Sequence, residues 1–146
     1  MTAKDYLLQA YLLEERIDSK LMQVERLRGL ATKSTAIIRM DSGGGSGNGD
    51  FMENTIIKIV DMEKEISAEM ERLMDLKQEI AGVIGQVEDP DLQVLLEMRY
   101  LCYRDWPEIM YSLHRSSSTI FYMHRKAMEK VEKIIKQKNS LPEFSQ

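Results

Sequence analysis

A run of hydroxyl, aromatic and basic side chains follows His114, and their types determine what chemistry this segment could do. Guanidinium and ammonium groups bind phosphate or guanine, hydroxyls bind phosphate or base edges, and an aromatic edge can touch a thymine methyl. The set therefore predicts a face that contacts double-stranded DNA through the major groove. Its members are Arg115, Ser117, Ser118, Phe121, Tyr122, Arg125, Lys126 and Lys130.

Two short amphipathic helices and a tight turn are needed to position this set. The first is predicted to begin near Asp105, with Pro107 tolerated in its first turn and an apolar face of Trp106, Ile109, Met110 and Leu113. His114-Arg115 makes the turn, where Gly is usual but His is tolerated at a positive φ. Ser116 is the predicted N-cap of the second helix, whose apolar face is Ile120, Met123, Ala127 and Val131. Such an arrangement is typical of a helix-turn-helix.

Other reactive side chains do not form a recognisable site. His114 and His124 lack ligand-spaced partners, so no metal site and no cofactor are expected. Cys102 is the one cysteine of the chain and is expected to be a buried small hydrophobe. The many carboxylates fall between apolar positions at helical spacing, which is typical of a solvated face. We therefore expect a protein that is not an enzyme.

Charge is divided unevenly along the 146 residues. Residues 1–98 carry 11 Lys and Arg and 19 Asp and Glu, whereas residues 99–138 carry 9 Lys and Arg and 4 Asp and Glu. The formal net charge of the whole chain is −4. The division favours a nucleic-acid surface in the C-terminal third. No apolar run reaches the length of about 20 residues that a membrane span needs, and no signal peptide is evident, so a cytoplasmic protein is expected.

The first 88 residues predict a long antiparallel helical hairpin of an all-α protein. An apolar seam runs along residues 3–38 and consists of Tyr6, Ala10, Leu13, Ile17, Leu21, Val24, Leu27 and Ala31. A second helix over 52–87 repeats Ile59, Ile66, Leu73, Ile80 and Val87 at seven residues, with Ile56, Met70 and Ile84 on the alternate seam. A Gly/Ser-rich stretch at 42–50 predicts a flexible linker between the two helices. The same seams could instead pair between subunits, and a small core makes a homo-oligomer an expected outcome.

A boundary follows at residue 88. Asp89 is a predicted N-cap and Pro90 a predicted first helical residue, ahead of a helix from Leu92 to Tyr103. The sequence thus predicts a hairpin over 1–88, a small C-terminal helix-turn-helix domain over 89–138 and a frayed tail over 139–146.

Within residues 92–131 the order of residues resembles sigma-factor region 4. It is more closely similar to phage-encoded transcriptional regulators of the ArpU/RinA type. The residues that carry the resemblance are Arg99-Tyr100, Trp106, Glu108-Ile109, Leu113, Ser116, Ile120, Met123-His124 and Lys126-Ala127-Met128. The resemblance implies that Ser117, Ser118, Tyr122, Arg125 and Lys126 contact DNA. Met110 departs from the small residue usual in the first helix and would widen the helix crossing, and His114 departs from the usual turn residue.

Two hypotheses from different classes follow. The first is a sequence-specific DNA-binding regulator of phage late genes in a bacterial host, with the host RNA polymerase as a possible further partner. The second is a coiled-coil adaptor whose C-terminal helices bind another protein, with Phe121 and Tyr122 as a hydrophobic patch.

Overall fold

The computed structural model describes residues 1–40 and 47–140, and these residues form an all-α fold without a β-strand. Helix α1 spans Ala3–Met40 and α2 spans Gly47–Gly85. Three shorter helices follow: α3 is Pro90–Leu96, α4 is Trp106–Leu113 and α5 is Ser117–Ser140. A π-helical segment, Glu97–Leu101, extends α3. None of the described helices is both long enough and apolar enough to span a bilayer.

The long helices begin and end close to the predicted residues. Helix α1 is continuous through Gly29, as expected for an isolated glycine in a strong helical pattern. Helix α2 begins at Gly47, five residues earlier than predicted, with Asp50 in its first turn where a carboxylate favours the helix dipole. Residues 42–46 of the predicted linker, and residues 141–146 of the predicted tail, lie outside the described residues.

The described residues pack as two compact units. The hairpin unit is Leu13–Arg72, and the C-terminal unit combines Met1–Leu12 with the chain from Leu73 onward. In the hairpin unit α1 and α2 run antiparallel, since Lys20 pairs with Glu65 and Glu69 whereas Arg28 pairs with Glu63. Ile17 and Val24 of α1 and Ile59 and Ile66 of α2 are buried between the two helices.

The main core of the C-terminal unit brings together the beginning of α1, the end of α2, α3 and α5. Its fully buried members come from all four helices and include Leu7, Ile80, Leu96 and Val131. Tyr6 reinforces the same contact, because its hydroxyl donates to Glu79 Oε2 at 3.1 Å. Burial and the Glu79 charge raise the pKa of Tyr6, which keeps the phenol protonated as the donor. Lys138 of α5 donates to the other oxygen of Glu79 at 3.2 Å.

A smaller core lies between α3, α4 and α5. Leu95, Ile109 and Ile120 are fully buried in it, one from each helix. Met110, Trp106 and Leu113 are packed around them, so the apolar face predicted for α4 is confirmed.

Three predictions made from the sequence are wrong. Leu21, Ile56 and Met70 were assigned to buried seams but are exposed, because two paired helices bury only the rows that face each other. The helix predicted from Leu92 to Tyr103 changes at Glu97 to a π-helix that ends at Leu101. The wider turn rotates the positions after it, and Cys102, predicted to be buried, is exposed.

We predict that Ile109→Ala lowers the free energy of unfolding by about 2–5 kcal/mol, because it empties a fully buried site between three helices. Urea unfolding followed by circular dichroism measures the change. The control is Tyr111→Ala on the same helix, where the side chain is 82% exposed and a change within about 0.5 kcal/mol is expected. Equal losses for the two variants would contradict the assignment of this core.

Candidate nucleic-acid interface

Helix α4 is fixed at its beginning by a side-chain cap. Asp105 is the N-cap, as predicted, and its carboxylate accepts a hydrogen bond from the Glu108 N–H at 2.9 Å. Pro107 lies in the first turn, where its missing N–H leaves no helical bond unmade. The sequence Asp-Trp-Pro-Glu thus sets where α4 begins.

The end of α4 is a tight reversal at His114. The His114 N–H donates to the Tyr111 carbonyl and the Arg115 N–H donates to the Met110 carbonyl, at 3.3 and 3.2 Å. This pair of bonds is the Schellman motif, which requires a left-handed residue at its centre. His114 takes that role with φ 55° and ψ 45°, so the prediction that a histidine serves at this turn is confirmed.

Helix α5 begins after a turn of only three residues. The Ser116 carbonyl accepts from the Ile120 N–H at 2.9 Å, and its hydroxyl lies 3.4 Å from the Thr119 nitrogen, which donates to it. Ser116 is therefore the N-cap, as predicted. The first turn of α5 contains hydroxyl side chains and no carboxylate. The positive dipole end of α5 is therefore not neutralised by a carboxylate of its own first turn.

One face of α5 is buried and the other faces solvent. Ile120, Ala127 and Val131 are completely buried and Met123 is partly buried, which confirms the predicted apolar face. All eight predicted contact residues are exposed: Arg115, Ser117, Ser118, Phe121, Tyr122, Arg125, Lys126 and Lys130. Their exposure makes them available to a ligand but does not identify that ligand.

Four of the eight line one open groove. Arg115, Tyr122, Lys126 and Lys130 lie along it together with Thr119, and the Lys126 ammonium is 5.6 Å from the centre of the Tyr122 ring. The opposite wall is formed by the beginning of α3, where Asp89 and Asp91 add two carboxylates. Ser117, Ser118, Phe121 and Arg125 lie outside the groove on the exposed surface of α5.

Residue spacing did not predict that Asp91 and Thr119 line this groove. The Asp-Pro-Asp motif correctly predicts the N-cap, since the Asp89 carboxylate accepts from the Asp91 N–H at 3.0 Å. Nothing in the sequence indicates that this cap lies beside α5, because that proximity depends on how α3 packs against α5.

Phe121 has a structural contact in addition to its exposed edge. Its ring centre lies 5.2 Å from that of Trp106 at the beginning of α4, with the two rings tilted by 57°. The contact holds the first turns of α4 and α5 together. Phe121 is therefore less free to meet a base than Tyr122.

A cluster of aromatic and basic side chains lies behind this surface and was not predicted as a unit. Arg99 of the π-helical segment lies 4.5 Å above the Trp106 ring and donates to the Arg104 carbonyl at 3.0 Å. His124 meets the edge of the same Trp106 ring, and its Nε2 lies 2.7 Å from the Tyr100 hydroxyl, a hydrogen-bond distance. The cluster joins α5 to the segment that leads into α4.

Burial lowers the pKa of His124 below its usual value of 6.5, and the charges of Arg99 and Lys4 lower it further. The unfolded chain therefore takes up a proton at a higher pH than the folded protein. Stability from this group is complete above about pH 6.5 and is lost as the pH falls below that value.

We predict that the free energy of unfolding falls between about pH 7 and pH 5 more steeply for the wild-type protein than for His124→Gln. Urea titrations at a series of pH values measure both slopes. The variant retains a hydrogen-bonding side chain but cannot titrate, so parallel slopes would show that His124 is not the group responsible.

A second prediction concerns the turn. His114→Val is expected to lower the free energy of unfolding by roughly 1–2 kcal/mol, because a β-branched residue is strained in the left-handed conformation. His114→Gly is expected to change it by less than about 1 kcal/mol, since relief of strain is offset by greater freedom in the unfolded chain. Thermal unfolding of the three proteins tests the order, and a valine variant as stable as wild type would contradict it.

Comparison with known proteins identifies a family but no relative of known function. No curated protein and no solved structure shows a significant match to the chain. A family described as "Protein of unknown function (DUF1492)" matches residues 32–132. The match includes the end of α1, all of α2, α3 and α4, the turn with Arg115, and the part of α5 that carries the other seven contact residues. The match covers more than half of the chain, and the protein therefore belongs to the DUF1492 family.

Proposed function

We propose that this protein binds double-stranded DNA in a sequence-specific manner and regulates transcription, with α5 as the helix that enters the major groove. The observation that carries the proposal is the geometry of α4, the three-residue turn and α5. One face of α5 is anchored in two cores while its first turns present hydroxyl, aromatic and basic side chains to solvent. Helix-turn-helix proteins contact base edges with that part of the second helix.

Each exposed side chain then has a role that its chemistry supports. Ser117 and Ser118 lie at the first turn of α5, where their hydroxyls and the positive end of the helix dipole suit a phosphate or a base edge. Tyr122 and Arg125 lie one to two turns further along and are placed to meet bases, with Phe121 contributing an edge. Arg115, Lys126 and Lys130 would bind phosphates.

The charges of the groove bear on specificity. It carries three cationic side chains, those of Arg115, Lys126 and Lys130, and the two carboxylates of Asp89 and Asp91. The carboxylates reduce the attraction of this groove for phosphate in general. Affinity for a particular duplex then depends more on contacts to bases than on charge alone.

The narrower assignment to phage late-gene regulators of the ArpU/RinA type rests on the resemblance of residues 92–131 to those proteins and to sigma-factor region 4. We extend it to a regulator that acts in the cytoplasm of the bacterial host. Contact with the host RNA polymerase is part of the same proposal.

Selection of binding sites from random duplexes, followed by a salt titration on the enriched sequence, tests the proposal. We expect one enriched sequence and an affinity that falls steeply with salt. Arg125→Ala with Lys126→Ala is expected to weaken binding roughly 10- to 100-fold and to make the salt dependence shallower. The matched control is Lys133→Ala with Lys136→Ala, which removes the same charge from exposed positions further along α5.

Two outcomes would overturn DNA binding: no enriched sequence, or equal affinities for the two double variants. An adaptor function is then the alternative, with the exposed rings of Phe121 and Tyr122 as its hydrophobic patch. A protein partner that is still captured by the Arg125/Lys126 variant but lost with Tyr122→Ala would support the adaptor.

A further inference from the structure

Helix α2 carries a second row of exposed side chains, three of them apolar, beside the seam that faces α1. The row, here called the lateral stripe, consists of Ile56, Val60, Glu63, Ser67 and Met70. Its members recur at four, three, four and three residues, which places them on one side of α2 next to the buried seam of Ile59 and Ile66. Ile56, Val60 and Met70 remain 50%, 45% and 46% exposed.

Helix α1 contributes to the same surface within the hairpin unit. Leu21, 42% exposed, and Arg28 line an open groove with Glu63, Ser67 and Met70. The buried side chains of Val24 and Ile66 also border this groove. The groove therefore joins apolar side chains of both helices, Leu21 and Met70 among them, with the charged side chains of Glu25, Arg28 and Glu63.

We infer that the lateral stripe binds the lateral stripe of a second copy of this chain, in an antiparallel arrangement with a two-fold axis near Glu63. The stripe is complementary to its own reverse. Ile56 and Met70 lie seven residues on either side of Glu63, so reversal places each opposite the other. Reversal about Glu63 places Val60 opposite position 66, so Val60 and Ser67 are offset by one residue, about 1.5 Å along the helix, and a larger side chain lies near a smaller one. A closed two-fold contact requires this kind of self-complementarity.

Charge at the centre favours the same partner. Glu63 is the one charged member of the stripe and forms an ion pair with Arg28 of its own chain. Around a two-fold axis the two Glu63–Arg28 pairs would form a ring of alternating charge, in which each arginine can also reach the partner's carboxylate. A wholly apolar partner would leave these charges without that compensation.

The available area is enough for a reversible dimer. Two helices side by side are about 20 Å wide, and Ile56 to Met70 with one extra turn at each end is about 32 Å long. The footprint is about 640 Å² on each copy and about 1,300 Å² in total, at the lower end of stable interfaces. The dimer should therefore dissociate on dilution. It does not rest on the proposed DNA binding, and its test contains no DNA.

Sedimentation velocity of the full chain over a concentration series tests the inference. We expect the mass to rise toward that of two chains, starting from the 16.9 kDa of one. Met70→Lys is expected to weaken self-association at least tenfold without loss of helical circular dichroism. The matched control is Met22→Lys, because Met22 is 68% exposed on α1 outside this groove and should leave association unchanged. A wild-type monomer throughout, or equal effects of the two variants, would overturn the inference.

Cysteine cross-linking tests the register in a Cys102→Ser background, which removes the one native thiol. Glu63→Cys is expected to form a disulfide between two copies, because position 63 lies near the axis. Ile56→Cys alone is expected not to do so, whereas a mixture of Ile56→Cys and Met70→Cys chains should form the mixed disulfide. Efficient cross-linking of Ile56→Cys with itself would indicate a parallel dimer and overturn the antiparallel arrangement.

Discussion

Complete burial of one face of α5 is the constraint on which the rest of the C-terminal unit depends. Ile120 fills the small core with Leu95 and Ile109, while Ala127 and Val131 enter the main core beside the beginning of α1 and the end of α2. Since helical positions three and four apart share a face, fixing these residues leaves the opposite positions in solvent. The exposed basic and hydroxyl face is a direct consequence of that packing.

The turn before α5 and the aromatic cluster around Trp106 also hold α5 in one orientation. A left-handed residue at His114 closes the Schellman motif and turns the chain within three residues. Trp106 contacts Phe121 and His124 of α5. Arg99, from the π-helical segment, lies above the same Trp106 ring. Contacts to two successive turns of α5 restrain its rotation about its own axis. A helix held in this way presents a defined face to solvent, as the proposed recognition of a DNA sequence requires.

The hairpin unit is limited in a different way, because two helices alone bury little apolar surface. Rows that face each other are buried, but the rows beside them stay in solvent, and in this chain those rows include Ile56, Val60 and Met70. Ion pairs such as Arg28 with Glu63 are exposed and add little stability. A second copy would cover the apolar row, so the same feature that limits the stability of one hairpin supplies a surface for association.

Local sequence signals determined much of this protein: the all-α class, the caps at Asp89, Asp105 and Ser116, the reversal at His114 and the buried face of α5. Each of these features depends on residues within a few positions of one another, so residue spacing and side-chain chemistry are enough to predict it. Only the tertiary structure showed the π-helical segment that exposes Cys102, the burial of Leu7, the exposure of Leu21 and Met70, and the meeting of Asp91 with Lys126 in one groove. These features depend on which helices meet and at what register, and no pattern within one helix contains that information.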